Sequence, residues 1–267
     1  MHLLGAPIAA YLWRGRPDLS RPAAWPRLQQ AECLDEPLLD PELLRSNLDD
    51  LARLNAWLGG TALVARHVLP VVRAAGRGAC LTLADVGTGG ADIPLTLQRR
   101  ARQLGICLQL LLCDLRREVL DCARAHIGRE QDITLLRCDG LRLPLADRSI
   151  DLVTCSLVLH HLDERRAVRL LGELARVARR RVVVTDLERS RTAWLGAWLA
   201  AHLLGRSAYT HHDAPLSVRR AFTLSELASL AHQAGLRRAR ISRAPFFRLA
   251  LVCDAAEPGG AGEEAGP

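Results

Sequence analysis

The stretch Leu83-Ala84-Asp85-Val86-Gly87-Thr88-Gly89-Gly90-Ala91-Asp92-Ile93-Pro94 decides the fold. An apolar run ending in an acid, a glycine-rich turn and the onset of a helical pattern read as strand, turn and helix start. That arrangement lets backbone approach a ligand closely and aims helix N–H groups at an anion. A nucleotide-like cofactor is implied. The dinucleotide fingerprint would want a third glycine where Asp92 stands, and an acid so near a pyrophosphate would repel it. An NAD-linked reductase is therefore disfavoured. A cofactor lacking phosphate, with an ammonium group for Asp85 or Asp92 to face, suits the turn better.

Working outward, the central section alternates apolar strands with helical patterns. Strands are expected at Leu81 to Val86, Cys107 to Cys113, Ile133 to Arg137, Leu152 to Ser156 and Arg181 to Thr185, with helices from about Ile93, Arg117 and Glu164. Strands alternating with helices imply βαβ units and a parallel sheet. Upstream, Asp40 and Pro41 supply a cap and a first-turn proline for a helix whose leucines recur until Gly59-Gly60, and a second helix follows over about Thr61 to Ala75. Downstream of Asp186, an insertion runs to about Ala221. Thr223 and Glu226 then form a capping box for a helix ending at Gly235, and strands near Arg238 to Ser242 and Phe247 to Cys253 close the sheet.

The expected fold is α/β: a Rossmann-like, doubly wound, mostly parallel seven-stranded sheet with N-terminal helices and a helical lid insertion. Residues 1–37 read as an irregular leader and 255–267 as a Gly/Glu tail. Between them, 38–254 form a single domain, with N-terminal helices over 38–78 and the lid over 187–221.

A chain of 267 residues with 49% hydrophobic content carries a sizeable core, which excludes disorder throughout. The formal charge of +7 comes from arginines alone, dispersed over helix faces with few aromatics, so no nucleic-acid partner is expected. Eight cysteines without a CxxC spacing point to a reducing, cytoplasmic compartment. The start lacks the basic region and cleavage site of a signal peptide. No run reaches the roughly 18 apolar residues of a membrane span; Trp194 to Leu204 is the longest, and reads as a buried or lid helix. Trp194, Trp198 and Leu203 share a helical spacing that normally marks core.

The segment Asp85-Val86-Gly87-Thr88-Gly89-Gly90 resembles motif I of the class I S-adenosylmethionine-dependent methyltransferases, and three later segments continue the match in order. Leu110-Leu111-Leu112-Cys113-Asp114-Leu115 is similar to the strand ending in the ribose-binding acid and the apolar contact to adenine. Arg137-Cys138-Asp139-Gly140-Leu141-Arg142-Leu143-Pro144-Leu145 resembles the third strand end, where an Asp accepts from the adenine amino group. The run Asp147 to Leu162 resembles the motif around the fourth strand. The chain is also similar to the ubiquinone and menaquinone C-methyltransferases and to bacterial natural-product methyltransferases.

The resemblance implies S-adenosylmethionine as cofactor, held by Asp85, Gly87, Thr88, Gly89, Asp92, Asp114, Leu115, Asp139, Gly140 and Ser156. The acceptor it implies is small and apolar, aromatic or polyketide-like, with O-methylation favoured and C-methylation of a quinone precursor as the alternative. A catalytically silent cofactor-binding module is the rival outside the class.

Methyl transfer from a sulfonium asks mainly for positioning. A hydroxyl acceptor also gains from a base, and His has a suitable pKa. His160 and His161 stand where some small-molecule O-methyltransferases carry that base; the other reading is that they shape the pocket and cap the next helix. His211 and His212, beside Asp213 in the insertion, are candidate substrate contacts. No metal is expected, because the sequence offers His211, His212 and Asp213 no spaced partner set.

Overall fold

The computed structural model describes residues 25–35 and 40–255. Helix α1 (Pro41–Trp57) starts where the carboxylate of Asp40 accepts from the N–H groups of Glu42 and Leu43, at 2.9 and 2.8 Å. It stops at Gly59, whose φ of +73° a side chain would resist, and α2 (Gly60–Ala74) follows at once. Then come β1 (Cys80–Val86), α3 (Asp92–Gln103), β2 (Cys107–Asp114), α4 (Arg117–Ile127), β3 (Ile133–Arg137), β4 (Ile150–Ser156), α5 (Glu164–Val177) and β5 (Ala178–Leu187). The insertion folds as α6 (Arg191–Leu204) and α7 (Ala208–Arg220). The chain closes with α8 (Leu224–Gln233), β6 (Arg240–Ala244) and β7 (Arg248–Asp254). The Thr223/Glu226 capping box is present at the start of α8.

The seven strands lie in the order β3-β2-β1-β4-β5-β7-β6. β1 to β5 pair in parallel, and β7 runs antiparallel between β5 and β6. Period-two alternation sends Leu81 and Leu83 of β1 to one face, against α2 and α3, and Ala84 and Val86 to the other, against α5 and α8. Both faces of the sheet are thus covered, which is why its strands read as nearly continuous apolar runs.

Two outcomes differ from the sequence reading. The leader, set aside from Trp13 to Pro37, packs against the domain over Trp25–Asp35: Arg27 donates to the carbonyls of His160 and Leu162 at 3.0 and 2.6 Å. The remainder of the leader outside those residues, and the tail beyond Ala255, lie outside the described residues. On α6 the core spacing misleads. Trp198 and Leu203 are 40% and 77% exposed, while Trp194 is half-buried with its ring edge-on to Trp25. The cause is a helix that meets neighbours on one narrow face, where Ala193 and Ala201 are buried, so its large side chains point outward. Among the described residues no helix is long and apolar enough to cross a membrane.

Candidate functional site

Strand order reverses between β1 and β4, and in open α/β sheets ligands bind beyond the carboxyl ends of the strands at such a point. A cavity of about 390 Å³ opens there, and all ten residues expected to hold the cofactor line it. Gly87 turns the chain at φ +73°, where a Cβ would stand 2.3 Å from Cγ2 of Val158, so no larger residue fits. Its N–H and that of Thr88 donate to the carbonyl of Cys113, fixing the turn to β2.

Around this turn sit three acids, Asp85 buried and Asp92 and Asp114 half-buried. Asp85 accepts from the hydroxyl of Thr154 at 2.6 Å; burial pushes its pKa up to about 6, and the charges of Asp92 and Asp114 add to the rise. Asp92 accepts from Nδ2 of Asn55 at 3.2 Å, and Asn55 in turn accepts from Arg248. Asp114 accepts from the N–H groups of Arg116 and Gly89 at 3.0 and 3.4 Å. Burial raises the pKa of both Asp92 and Asp114. Asp139 accepts from Leu141 N–H beside Gly140, Ser156 accepts from Thr185, and Leu115, 57% exposed, stands at the rim.

Opposite this floor is an apolar roof. Leu48, Leu51 and Leu54 reach in from α1, Leu58 from just past its end, Ala197 and Ala200 from α6, and Ala214 from α7. One buried side chain fastens it: Asp50 of α1 accepts from the N–H groups of Arg206 and Ser207 and from the hydroxyl of Thr210, at 2.7, 2.8 and 2.7 Å. These bonds cap the start of α7 and set the gap between roof and floor.

The third wall is polar. His160, 3% exposed, shares a 2.7 Å hydrogen bond between Nδ1 and Oδ1 of Asp186 and donates its backbone N–H to Oδ2. His161 makes the matching 2.9 Å bond through Nδ1 to Asp35. Burial opposes ionisation of Asp186 and Asp35, but bonding to His160, and to His161 and Arg220, holds both carboxyls below their ordinary values. Glu32, 2% exposed, faces Nε2 of both rings, and burial pushes its pKa up to about 7.

His160 and His161 are therefore both at the cavity, as expected from their place after β4. His211 and His212 are not. On α7 the residues facing the cavity are Thr210, Asp213, Ala214 and Ser217, at helical spacing; His211 bonds the carbonyl of Gly205 and stacks on His202, and His212 bonds Asp213 on the outer side. The sequence reading missed Glu32, Asp35, Asn55, Asp186, Arg220 and Arg248. Asp186, the acid ending a strand, carried a visible signal; the others sit in stretches with no motif.

The family model described as a methyltransferase domain matches residues 84–184, from the glycine turn through β5. Over these residues, less than half of its length, the chain is similar to methyltransferase domains of the class I, S-adenosylmethionine-dependent kind. A demethylmenaquinone methyltransferase of Deinococcus radiodurans is 38% identical over 73 residues, 27% of this chain and 29% of that protein. The chain thus matches less than a third of that relative's length. Among solved structures, the chain resembles a SAM-dependent methyltransferase from Aquifex aeolicus, with 19% identity, a TM-score of 0.58 and coverage of 82% of this chain and 100% of that one. An O-methyltransferase family 2 protein from Planctomyces limnophilus, in complex with apigenin, gives 18% identity, a TM-score of 0.57 and coverage of 83% and 64%. These structural likenesses establish the fold.

The donor set fits the cofactor of this domain. Asp85 and Asp92 offer carboxylates to an ammonium, Asp114 keeps lone pairs for ribose hydroxyls, and the Gly87 turn brings bare backbone to the cavity.

Proposed function

We propose that the protein transfers a methyl group from S-adenosylmethionine to a hydroxyl oxygen of a small, apolar, aromatic or polyketide-like acceptor. The observation that carries this reading is the single cavity that joins the acid-lined floor, the leucine and alanine roof, and the His160–Asp186 pair. The bound cofactor supplies an electrophilic methyl group. Asp85 and Asp92 meet its amino-acid end, Asp114 its ribose, and Asp139 and Leu115 its adenine. The roof excludes water and takes the apolar body of the acceptor, whose hydroxyl is directed to the His160 and His161 wall. The Asp186 bond fixes the His160 ring and leaves Nε2 as the atom available on the cavity side.

The menaquinone-related segment match favours a second reading, C-methylation of a quinone precursor in the same cavity. Incubation with S-adenosylmethionine and a panel of phenols, quinone precursors and polyketide-like enols, scored by S-adenosylhomocysteine release and product mass, tests both. Acid lability of the added methyl separates oxygen from carbon. His160→Gln is expected to cut turnover while leaving cofactor affinity unchanged. Release of no S-adenosylhomocysteine on any acceptor, by protein that binds the cofactor, would favour a silent binding module.

A further inference from the structure

The polar wall holds three potential ligand atoms that face one another. Nε2 of His160 lies 3.8 Å from Oε1 of Glu32, Nε2 of His161 lies 3.9 Å from Oε2, and all three groups offer an atom within 4.8 Å of the others. Each imidazole is oriented from behind by a carboxylate on Nδ1, Asp186 for His160 and Asp35 for His161. A carboxylate accepts only from an N–H, so each Nδ1 carries hydrogen and, in the neutral ring, each Nε2 presents a lone pair toward Glu32. A carboxylate behind each of two converging histidines is the outer shell that metal-ligating imidazoles almost always have.

Glu32 supplies the independent sign. It is buried, its Oε2 accepts from Ser217 at 2.9 Å, and its Oε1 has no hydrogen bond. Nη1 of Arg220 pairs with Oε1 by charge at 3.5 Å without a hydrogen bond, and donates to Asp35. A buried acceptor without a donor costs free energy, and three lone pairs that face one another are stabilised by a cation held among them.

We propose that Glu32, His160 and His161 bind one first-row divalent cation of the zinc type at the acceptor end of the cavity. Two imidazoles and one carboxylate form a donor set that suits such ions and leaves a coordination position open. Metal–ligand bonds of about 2.0–2.2 Å require the ligand atoms, now up to 4.8 Å apart, to close to about 3.5 Å. The open position faces the cavity and takes an oxygen of the acceptor, a role that rests on the oxygen-acceptor reading above; cation binding itself does not. The sequence offered no such site because Glu32 lies in the leader and pairs with His160 and His161 only through the fold. A second cluster, Cys33, His212 and Asp213, is less apt, since Asp213 already accepts from the N–H groups of Cys33 and Leu34.

The test uses the full chain, stripped with a chelator and dialysed against Zn²⁺ or Co²⁺, with metal content measured per chain and Co²⁺ bound states followed by visible absorption. S-adenosylmethionine titration runs in parallel. One ion per chain is expected, with nitrogen- and oxygen-ligated Co²⁺ bands. Affinity should fall at least tenfold in Glu32→Gln and in His161→Gln, the latter at a half-exposed site that tolerates change, and stay constant in Cys33→Ser. Folded protein that binds S-adenosylmethionine but holds no stoichiometric ion would overturn the proposal, with only a proton shared among the three groups. So would binding unchanged in both cluster variants. Loss of cofactor binding in the wild type would instead sink the functional reading, whatever the metal result.

Discussion

In the floor of the cavity the ligand-facing residues follow one another along the chain, each at the end of a strand or in the turn that leaves it. In the roof and the polar wall, Glu32, His160 and Thr210 face the cavity and are held by Asp50, Asp186 and Arg220 through polar contacts across long stretches of sequence. The floor depends on backbone shape, which tolerates almost no change at a few positions. The roof depends on buried polar bonds, which can be cut singly while the sheet stands. Cofactor binding and acceptor binding should therefore fail separately.

The largest effect is expected in the floor. Gly87→Val places a side chain at positive φ and against Val158, and should cost about 3 kcal/mol in denaturant unfolding and abolish cofactor binding. A variant that still binds S-adenosylmethionine would show that the turn is not the cradle. Next comes the roof: Asp50→Ala strands the N–H groups of Arg206 and Ser207, and about 2 kcal/mol of stability should go with them. Cofactor affinity should hold while KM for the acceptor rises; equal loss of both would erase the distinction between the two regions.

A smaller effect tracks pH. The pKa of Asp85 is pushed from its ordinary 3.8 to about 6, so between those values the folded protein binds more protons than the unfolded chain. Stability from this group therefore falls as pH rises through that window, and levels off above about 6. Affinity for the cofactor's ammonium runs the other way, weakening up to about tenfold per pH unit below pH 6 as the carboxylate protonates. Asp85→Asn should flatten that profile, and a profile unchanged in this variant would move the ammonium to Asp92. The smallest effect belongs to neither region. Arg102 and Glu130 form a surface pair at 3.0 Å, and Arg102→Ala should change stability by no more than about 0.5 kcal/mol.

The same contrast explains what the sequence disclosed. The glycine turn, the strand-end acids Asp85, Asp114 and Asp139, and the capping box at Thr223 are local patterns whose physics acts within a few residues, and the structure has each where its pattern put it. Strand ends were less legible. β5 begins at Ala178 rather than Arg181 because α5 runs straight into it and Ala178 pairs with Ile150 across an irregular register. The roof could not be read from period alone. His211 and His212 look chemically apt, but α7 turns Thr210, Asp213, Ala214 and Ser217 inward, and only packing against α1 and α6 decides that rotation. Glu32 and Arg27 carry no pattern of their own; their role arises when the segment Trp25–Asp35 folds back over His160.

The most direct test of the account is calorimetric titration of the folded protein with S-adenosylmethionine, S-adenosylhomocysteine and NADH, repeated on Asp114→Ala. Micromolar binding of both adenosyl ligands, lost in the variant and absent for NADH, is the predicted result. No binding of either adenosyl ligand to folded wild-type protein, or binding that Asp114→Ala leaves unchanged, would contradict the assignment of the strand-end acids to the cofactor.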